Sequence, residues 1–239
     1  MSAASLIKTP GLETPTIETA RLCLRDVVSG DGPAFRAARQ GDSVTTPESP
    51  IRPWSAPTSP EAEALAETLR ALIPRLDTPR LTLRAPQKFD FAAWAEVLCT
   101  ARAEHIGGPV SEDQAWFDFC LNTANWFLRG HGMWTVEATK SADRAGEVLG
   151  FILIGFEPGD REPELGYLFR QNAGGQGFAT EAALAARDFA LNRLRLPTLV
   201  SYIAPENARS LALARRLGAT PEGSIDGCEI WRQHPKGTP

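Results

Sequence analysis

Three closely spaced glycines form the stretch of this chain with the clearest chemical meaning. Gly174, Gly175 and Gly177 interrupt two regular patterns. Before them, the apolar residues 165–169 predict a β-strand, and after them an Ala-rich pattern predicts a helix that begins near Phe178. Glycines let the backbone approach a ligand closely, and the unpaired N–H groups at a helix N-terminus attract anions. The stretch therefore predicts a site for a phosphate or pyrophosphate group.

The residues after the last glycine distinguish between the possible phosphate ligands. A loop that binds nucleoside triphosphates requires a Lys and a Ser or Thr here, whereas this chain has Phe178 and Ala179. A dinucleotide-binding fold would require a small residue at Thr180 and an acidic residue about 20 positions later, near Leu199 and Val200. The sequence supplies neither of these residues, so we expect neither ligand class.

The glycine stretch resembles the acyl-CoA loop of the GNAT N-acetyltransferases, in particular the branch of the ribosomal-protein alanine acetyltransferases. The resemblance is carried by residues 164–167 (Glu-Leu-Gly-Tyr) on the strand and residues 175–182 (Gly-Gln-Gly-Phe-Ala-Thr-Glu-Ala) in the loop. Two blocks follow downstream, residues 205–210 (Pro-Glu-Asn-Ala-Arg-Ser) and 216–219 (Arg-Leu-Gly-Ala). The chain departs from the family at Asn172, where Gln or Arg is common.

This resemblance implies a fold, a co-substrate and a set of binding residues. The fold class would be α/β (α+β), with a mixed, mostly antiparallel sheet and helices on both faces. Two neighbouring parallel strands, residues 165–169 and 198–204, would splay apart around the pantetheine arm of acetyl-CoA, and no metal is implied. The residues that would bind acetyl-CoA are Leu168, Phe169 and Arg170 at the pantetheine, Gly174, Gly175, Gln176, Gly177, Phe178, Ala179 and Thr180 at the pyrophosphate, and Asn207.

Acetyl transfer to an amine requires a base for the amine, donors for the oxyanion and a proton for the leaving thiolate. Glu164 on the central strand and Glu162 just before it are the candidate bases, and each could equally be an ordinary polar residue at a strand edge. Ser210 is the candidate proton donor, although water could serve instead. Asn207 predicts a helix N-cap, either alone or with an added CoA contact. The Tyr that many family members place near this helix is absent from residues 207–218.

Four further titratable residues are expected to have simpler roles. Glu181 would contribute only a favourable negative charge to the first turn of its helix. His105, His131 and His234 are scattered without the spacing of metal ligands, so we expect them on the surface or in loops.

The acceptor pocket is predicted between the two helices that follow Leu83 and the loops at residues 107–109 and 157–161. Trp116 and Trp126 either line this pocket or pack in the core. An acidic cluster favours a cationic amine, which could belong to a protein N-terminus, a polyamine or a small amino compound. This cluster consists of Glu157, Asp160, Glu162 and Glu164.

Composition sets the limits on the whole chain. Its 239 residues are 43% hydrophobic and carry a net charge of −4, which gives no basic surface for nucleic acid. Its four cysteines show no metal or redox spacing, and no apolar run reaches the length of a membrane span or follows the plan of a signal peptide. We therefore expect a cytoplasmic protein that does not bind membranes.

The N-terminal part repeats the beginning of the fold. Residues 17–25 (Ile-Glu-Thr-Ala-Arg-Leu-Cys-Leu-Arg) and 76–84 (Leu-Asp-Thr-Pro-Arg-Leu-Thr-Leu-Arg) have similar sequences. The two segments are 59 positions apart, and in each an Arg precedes alternating Leu residues. Only the second copy is followed by the further strands, the glycine loop and the helices that the acetyltransferase fold requires. We therefore expect an N-terminal extension, residues 1–75, with a Pro-rich linker and one helix, followed by the acetyltransferase domain, residues 76–239. The extension either packs on the domain or joins the sheet of a second copy in a homodimer.

Local patterns predict the elements of the second part. Asp90 would cap a helix, and Ser111 with Gln114 would start another that ends near Gly130. Strands are expected at 133–138, 148–156, 165–169 and 198–204, helices after the glycines and from Asn207 to Gly218, and a hairpin at 225–233. The buried stripe of the helix after Ser111 is predicted to consist of Trp116, Phe119, Cys120 and Phe127.

Three functions are compatible with these patterns. The main hypothesis is an acetyl-CoA-dependent N-acetyltransferase, acting on a protein N-terminus or a small amine by direct attack on the thioester. An alternative is an acyl-CoA-binding sensor without transferase activity, because the expected Tyr is missing. A third is a structural role centred on the N-terminal extension.

Overall fold

The computed structural model describes residues 17–18, 23–24, 52–139, 144–157 and 159–235. The chain divides into two compact units, residues 1–48 and 49–239, each of which is described by itself. The predicted homodimer contact involves mainly residues that lie outside the described ones. No helix in the described part of the chain is long and apolar enough to cross a membrane.

The internal repeat extends to backbone pairing. In the first unit, strand β1 (Ile17–Glu18) pairs antiparallel with β2 (Cys23–Leu24), with Ile17 opposite Leu24. In the second unit, β3 (Leu76–Asp77) pairs with β4 (Leu81–Arg84), with Leu76 opposite Leu83. Ile17 and Leu24 are thus related to Leu76 and Leu83 by the same offset of 59 residues as the repeated sequence. The boundary at residues 75 and 76 remains a prediction.

The described residues of the second unit form one mixed sheet of eight strands. Their order is β3-β4-β5-β6-β7-β8-β10-β9, and every neighbouring pair is antiparallel except β7 and β8, which are parallel. This confirms the predicted sheet. The remaining strands are β5 (Met133–Ala138), β6 (Val148–Gly155), β7 (Glu164–Phe169), β8 (Val200–Ile203), β9 (Thr220–Ile225) and β10 (Cys228–Arg232).

Helices cover both faces of this sheet, as predicted. On β6, Phe151 and Leu153 face one apolar cluster, whereas Ile152 and Ile154 face the other, because side chains alternate along a strand. The first cluster contains residues of α2 and α3, and the second contains residues of α4 and α5. The helices are α1 (Pro60–Arg70), α2 (Phe91–Leu98), α3 (Glu112–Arg129), α4 (Phe178–Asp188) and α5 (Ala208–Arg216).

Small side chains let α4 lie close to the sheet. Ala182, Ala183 and Ala186 are completely buried. The helix then continues as a π-helical segment, Phe189–Arg193. This helix begins directly after the predicted glycine loop, so its close packing fixes the position of the loop against β7.

The predicted stripe of α3 is wrong at two of its four positions. Phe119 is buried, but Cys120 is exposed and Phe127 is 58% exposed. The buried face instead repeats from Ala115 through Phe119 to Trp126, and Cys120 and Phe127 each follow a buried residue by one position, about 100° further around the helix. Ser111 Oγ accepts from Gln114 N at 3.2 Å, so the predicted start is confirmed.

Asp90 does not cap α2 with its side chain, contrary to the prediction. Its carboxylate accepts from Gln87 N at 2.8 Å and binds Arg84 Nη1 at 2.8 Å and Thr135 Oγ1 at 2.8 Å. The carboxylate therefore joins β4, β5 and the turn before α2. The predicted final hairpin was also too short, since β9 begins at Thr220.

Candidate active site

The glycine loop has the predicted arrangement of strand, turn and helix start. A short 3-10 turn, Gln171–Ala173, follows β7, and α4 begins at Phe178. Gly175 and Gly177 have φ of +75° and +79°, a left-handed conformation that favours glycine. A Cβ built on Gly175 would meet no atom within 4 Å, so one side of the loop is open. The amide groups at the head of α4 are thus available to an anion.

Glu181 has a larger role than the predicted helix-end charge. Its carboxylate accepts from Thr78 Oγ1 at 2.6 Å, from Arg80 N at 2.9 Å and from Arg80 Nε at 2.7 Å. Burial opposes ionisation, but these bonds hold the pKa of Glu181 below its ordinary value. Arg80 Nη1 also donates to Gln176 O at 2.9 Å. The turn between β3 and β4 is thereby fastened to the glycine loop.

Two arginines lie beside this loop. Arg80 and Arg144 both lie over the ring of Phe178, with the guanidinium carbon 4.6 Å and 5.9 Å from the ring centroid. Arg144 Nη1 donates to Asn172 O at 3.2 Å. Sequence reasoning missed both arginines, although Arg80 belongs to the repeated phrase. Each is paired with a carboxylate, Arg80 with Glu181 and Arg144 with Glu147, both at 2.7 Å, so the two arginines mainly hold the loop in place.

The parallel strands β7 and β8 form a fork. Their one register pair is Glu164 opposite Val200, and Val200 N donates to Pro163 O at 3.0 Å. Beyond this point, residues 165–168 of β7 and residues 201–204 both line a cavity of about 700 Å³. The expected splay between these strands is therefore present.

The register of β7 determines which backbone groups face the fork. Arg170 N donates to Leu149 O at 3.0 Å, so Arg170 and, by alternation, Leu168 direct their backbone groups toward β6. The backbone groups of Tyr167 and Phe169 point the other way. Of the three predicted pantetheine contacts, only Phe169 therefore faces the fork with its main chain, and Phe169 O accepts from Arg102 Nη2 at 2.8 Å. The Arg170 side chain binds Glu96 instead.

Glu164 borders the cavity on the face of α2 and α3. Its Oε1 accepts from Tyr202 N at 3.2 Å. Burial raises the pKa of Glu164 to about 7, and the neighbouring carboxylates of Asp160 and Glu157 add to the increase. Such a pKa suits a group that must accept a proton near neutral pH.

Glu162, the second candidate base, is occupied elsewhere. Its carboxylate forms a salt bridge with Arg232, whose Nη2 lies 2.9 Å from Oε1, and it also accepts from Thr198 Oγ1. The hydrogen bond from Arg232 lowers the pKa of Glu162. Glu162 is not among the residues that line the cavity. Of the two candidate bases, only Glu164 therefore lies at the cavity.

Asn207, Ser210 and Tyr167 meet at the other side of the fork. Asn207 Oδ1 accepts from Ser210 N at 3.1 Å, which confirms the predicted cap of α5, and both residues line the cavity. Tyr167 Oη donates to Ser210 O at 3.1 Å, and burial raises the pKa of Tyr167. Sequence reasoning sought a Tyr on α5 and missed this one, which reaches the helix from β7.

The remaining wall of the cavity is acidic. Asp118, Glu157, Asp160 and Glu164 line it, together with Trp94, His105 and the predicted loop at 107–108. Trp116 and Trp126 do not line it. Trp116 stacks on Phe119 with centroids 5.8 Å apart, and Trp126 Nε1 donates to Met133 O.

The histidines differ in their surroundings. His131 lies in the loop between α3 and β5, as predicted, but it is buried there, with Nδ1 2.7 Å from Ile154 O, and burial lowers its pKa. His105 is at the cavity wall, and His234 Nε2 lies 2.8 Å from Thr220 Oγ1. In the described part of the chain, no group of three His, Cys, Asp or Glu residues could hold a metal ion.

Comparison with known proteins agrees with this geometry. Residues 80–220 match the family described as Acetyltransferase (GNAT) domain. An acetyltransferase structure from Agrobacterium tumefaciens is 39% identical and has a TM-score of 0.63, with 68% of this chain and 95% of that chain covered. A RimL structure described as a ribosomal L7/L12 alpha-N-protein acetyltransferase in complex with coenzyme A is 20% identical, with 70% and 99% covered and a TM-score of 0.54, and so shares the fold.

Among curated proteins, the uncharacterized N-acetyltransferase YnaD of Bacillus subtilis is 27% identical over 81 residues. These residues are 34% of this chain and 48% of YnaD, so the chain spans about half the length of this relative. The family match, in contrast, includes both the glycine loop and the fork. This chain belongs to the GNAT acetyltransferase family.

Proposed function

We propose that this protein transfers an acetyl group from acetyl-CoA to a primary amine by direct attack on the thioester. The observation that carries the proposal is the meeting of two features at one cavity. The open glycine loop at the head of α4 suits a diphosphate, and the adjacent fork between β7 and β8 suits an extended arm with amide groups. Acyl-CoA combines both chemical groups in one molecule.

The loop would bind the pyrophosphate through main-chain N–H groups of Gly175 to Thr180, since Gly174 N already donates to Gln171 O at 3.1 Å. Arg80 would add a charge-assisted contact from beside the loop, whereas the Arg144 guanidinium is already held by Glu147, with Nε at 2.7 Å and Nη2 at 3.2 Å. The pantetheine would pair with backbone groups of Tyr167 and with Phe169 N, since these face the fork and Phe169 O already accepts from Arg102. Asn207 would combine its role as the cap of α5 with a CoA contact, because it lines the same cavity. This assignment uses most of the residues that the sequence predicts.

Glu164 would act as the general base. An amine must lose a proton to attack the carbonyl carbon, and a carboxylate with a pKa near 7 is partly ionised at neutral pH. The amine nitrogen would form a bond to the carbonyl carbon, the carbon–sulfur bond would break, and Glu164 would take the proton from nitrogen directly or through water. The nearby carboxylates of Glu157 and Asp160 would attract the protonated amine before reaction.

The leaving thiolate has two candidate proton donors. Ser210, at the first turn of α5, is the donor that the sequence suggests. Tyr167 is the second, because its hydroxyl group already lies at Ser210 O and its raised pKa keeps it protonated. A hydroxyl group in either position would stabilise the developing negative charge on sulfur.

The acceptor would be cationic, because five carboxylates line the cavity, those of Asp118, Glu157, Asp160, Glu164 and Asp226. The fold is shared with a structure described as a ribosomal L7/L12 alpha-N-protein acetyltransferase, so protein N-termini form one class to test. Polyamines and small amino compounds form the others.

The test is a panel of peptides, diamines and monoamines incubated with acetyl-CoA and the full chain, with release of free thiol measured. We expect thiol release with at least one cationic amine. Mass spectrometry should then find a product about 42 Da heavier than that amine, because an acetyl group has replaced one hydrogen. Tight CoA binding without turnover on any amine would favour the sensor instead. Absence of both binding and turnover would contradict the proposal.

A further inference from the structure

The fork between β7 and β8 contains hydrogen bonds that the proposed chemistry does not use. Val200 N donates to Pro163 O, as in an ordinary parallel ladder. In an unbroken ladder, the next such bond would run two residues further along both strands, from Tyr202 N to Leu165 O. In this structure each of these two backbone groups is bonded to a side chain instead.

Ser201 and Glu164 supply those side chains. Ser201 Oγ donates to Leu165 O at 2.7 Å, and Glu164 Oε1 accepts from Tyr202 N at 3.2 Å. Ser201 is 1% exposed and Leu165 is fully buried, so the first bond lies away from water. A buried carbonyl without a partner is costly, and the hydroxyl group removes the main reason for the ladder to continue. Two side chains thus satisfy the donor and the acceptor that would otherwise close the fork.

Gln233 holds the Ser201 hydroxyl group in this orientation. Gln233 Nε2 donates to Ser201 Oγ at 3.2 Å, so the hydroxyl hydrogen is directed to Leu165 O. The Gln233 backbone is anchored by its own N–H, which donates to Leu199 O at 2.9 Å. Gln233 is 3% exposed, and its Oε1 has no hydrogen-bond partner among the described residues. Burying the Gln233 side chain with an unpaired Oε1 lowers the stability of the fold. This cost is consistent with a role for its NH₂ group in orienting the Ser201 hydroxyl group.

We propose that Ser201, oriented by Gln233, is a positioning residue that keeps the fork open, and that Glu164 does the same at Tyr202 N. The inference rests on the proposed function, because an open fork matters to activity only if an acyl-CoA occupies it. Without the two side chains, Tyr202 N would bond to Leu165 O and the ladder would extend by one bond into the cavity. The space for the pantetheine arm would shrink accordingly.

The first test is calorimetric titration of CoA into variants of the full chain. Ser201→Ala should bind CoA roughly tenfold more weakly than the wild type, as expected when one buried hydrogen bond no longer maintains the binding geometry. Glu164→Ala should also bind more weakly. Glu164→Gln should stay within about threefold of the wild type, because the amide oxygen can still accept from Tyr202 N. Unchanged affinity in Ser201→Ala and Glu164→Ala would overturn the inference.

Thr135→Val is the matched control for losing a buried hydroxyl group. Thr135 is fully buried and its Oγ1 donates to Asp90 at 2.8 Å, but it lies on β5 and does not line the cavity. This variant should lose thermal stability as Ser201→Ala does, and yet keep its CoA affinity. Equal loss of CoA affinity in both variants would mean that Ser201 acts only through general stability, which contradicts the inference.

Hydrogen exchange at the Tyr202 amide gives a readout that does not depend on CoA. In the double variant Glu164→Ala with Ser201→Ala, closure of the ladder predicts that this amide remains protected, because it gains Leu165 O as its acceptor. Faster exchange would contradict closure, since the amide would simply have lost its partner. If the wild type does not bind CoA, the proposed function fails, and this exchange measurement still decides whether the two side chains hold the fork.

Discussion

Glu164 combines three properties that suit a proton acceptor. It lines the cavity, it accepts a backbone hydrogen bond from the neighbouring strand, and burial raises its pKa to about 7. Glu162 lies only two positions away, but Arg232 holds its pKa below the ordinary value. The difference between the two carboxylates comes from their surroundings alone, and it is the reason that we propose Glu164 as the base.

The raised pKa of Glu164 predicts how activity depends on pH. Activity requires the ionised form, so kcat/KM should rise as the pH increases through about 7 and should be low below that value. Glu164→Gln cannot ionise, so we expect kcat to fall by about 10²–10⁴-fold and this rise to disappear. Steady-state rates between about pH 5.5 and 9 would measure both effects. An unchanged pH profile in the variant would rule out Glu164 as the base.

Tyr167 provides a second prediction for a single residue. If its hydroxyl group stabilises the leaving thiolate, Tyr167→Phe should lower kcat by roughly tenfold or more and leave the CoA affinity close to that of the wild type. Ser210→Ala is the comparison, because it removes the other candidate hydroxyl group. Single-turnover rates with acetyl-CoA distinguish them. A full rate in Tyr167→Phe with a loss in Ser210→Ala would return the role to Ser210.

At the level of elements, the glycine loop depends on left-handed backbone positions. Gly177 has φ of +79° and precedes α4, and Gly130 has φ of +74° and ends α3. A Cβ at Gly130 would meet nothing within 4 Å, and one at Gly177 would lie 3.5 Å from Arg80 Nη2, which is an ordinary contact. The two glycines are therefore a matched pair that differs mainly in distance from the proposed CoA site.

Substitution of either glycine by Ala should have the same cost for the fold. We expect Gly177→Ala and Gly130→Ala each to lower the free energy of unfolding by about 1–2 kcal/mol, because an L-residue is strained at this φ. Only Gly177→Ala should also weaken CoA binding. Denaturant unfolding and CoA titration measure the two quantities. Equal CoA affinity in both variants would contradict a close approach of ligand to Gly177.

These elements explain what the sequence could and could not predict. The loop was predictable because residues 164–182 are contiguous, so strand, glycines and helix start appear in one pattern. The contacts that complete the site join distant positions, such as Arg80 with Glu181 and Ser201 with Gln233. No local pattern reports such pairs. The α3 stripe failed for a different reason, since Cys120 and Phe127 are apolar in type but lie on the neighbouring helix face.

For the whole molecule, residues 52–75 contribute to the core of the second unit. The ring centroids of Trp54 and Phe91 are 4.7 Å apart. Ile73 is buried in the apolar cluster that also contains residues of α4 and α5, and Trp134 Nε1 donates to Pro74 O at 2.7 Å. We still propose an N-terminal extension, residues 1–75, and an acetyltransferase domain, residues 76–239, because the second copy of the internal repeat begins at residue 76. The stability of the acetyltransferase domain should nevertheless depend on part of the extension.

Two truncations test this dependence. A chain that begins at Ser49 should unfold cooperatively and keep its CoA affinity, because residues 49–239 form a compact unit. A chain that begins at Leu76 should be less stable by about 3 kcal/mol or more, since it loses buried Ile73 and leaves the Trp134 indole without its acceptor. Thermal unfolding would compare them. Equal stability of the two chains would show that residues 49–75 are dispensable.

The central claim is that main-chain groups at the head of α4 bind the diphosphate of acetyl-CoA. Calorimetric titration of CoA into the full chain and into Gly177→Glu tests it most directly. We predict saturable binding to the wild type and none to the variant, because the new carboxylate would place a negative charge where the diphosphate binds, whereas Gly130→Glu should bind like the wild type. Wild-type affinity in Gly177→Glu, or no binding to the wild type, would contradict the account.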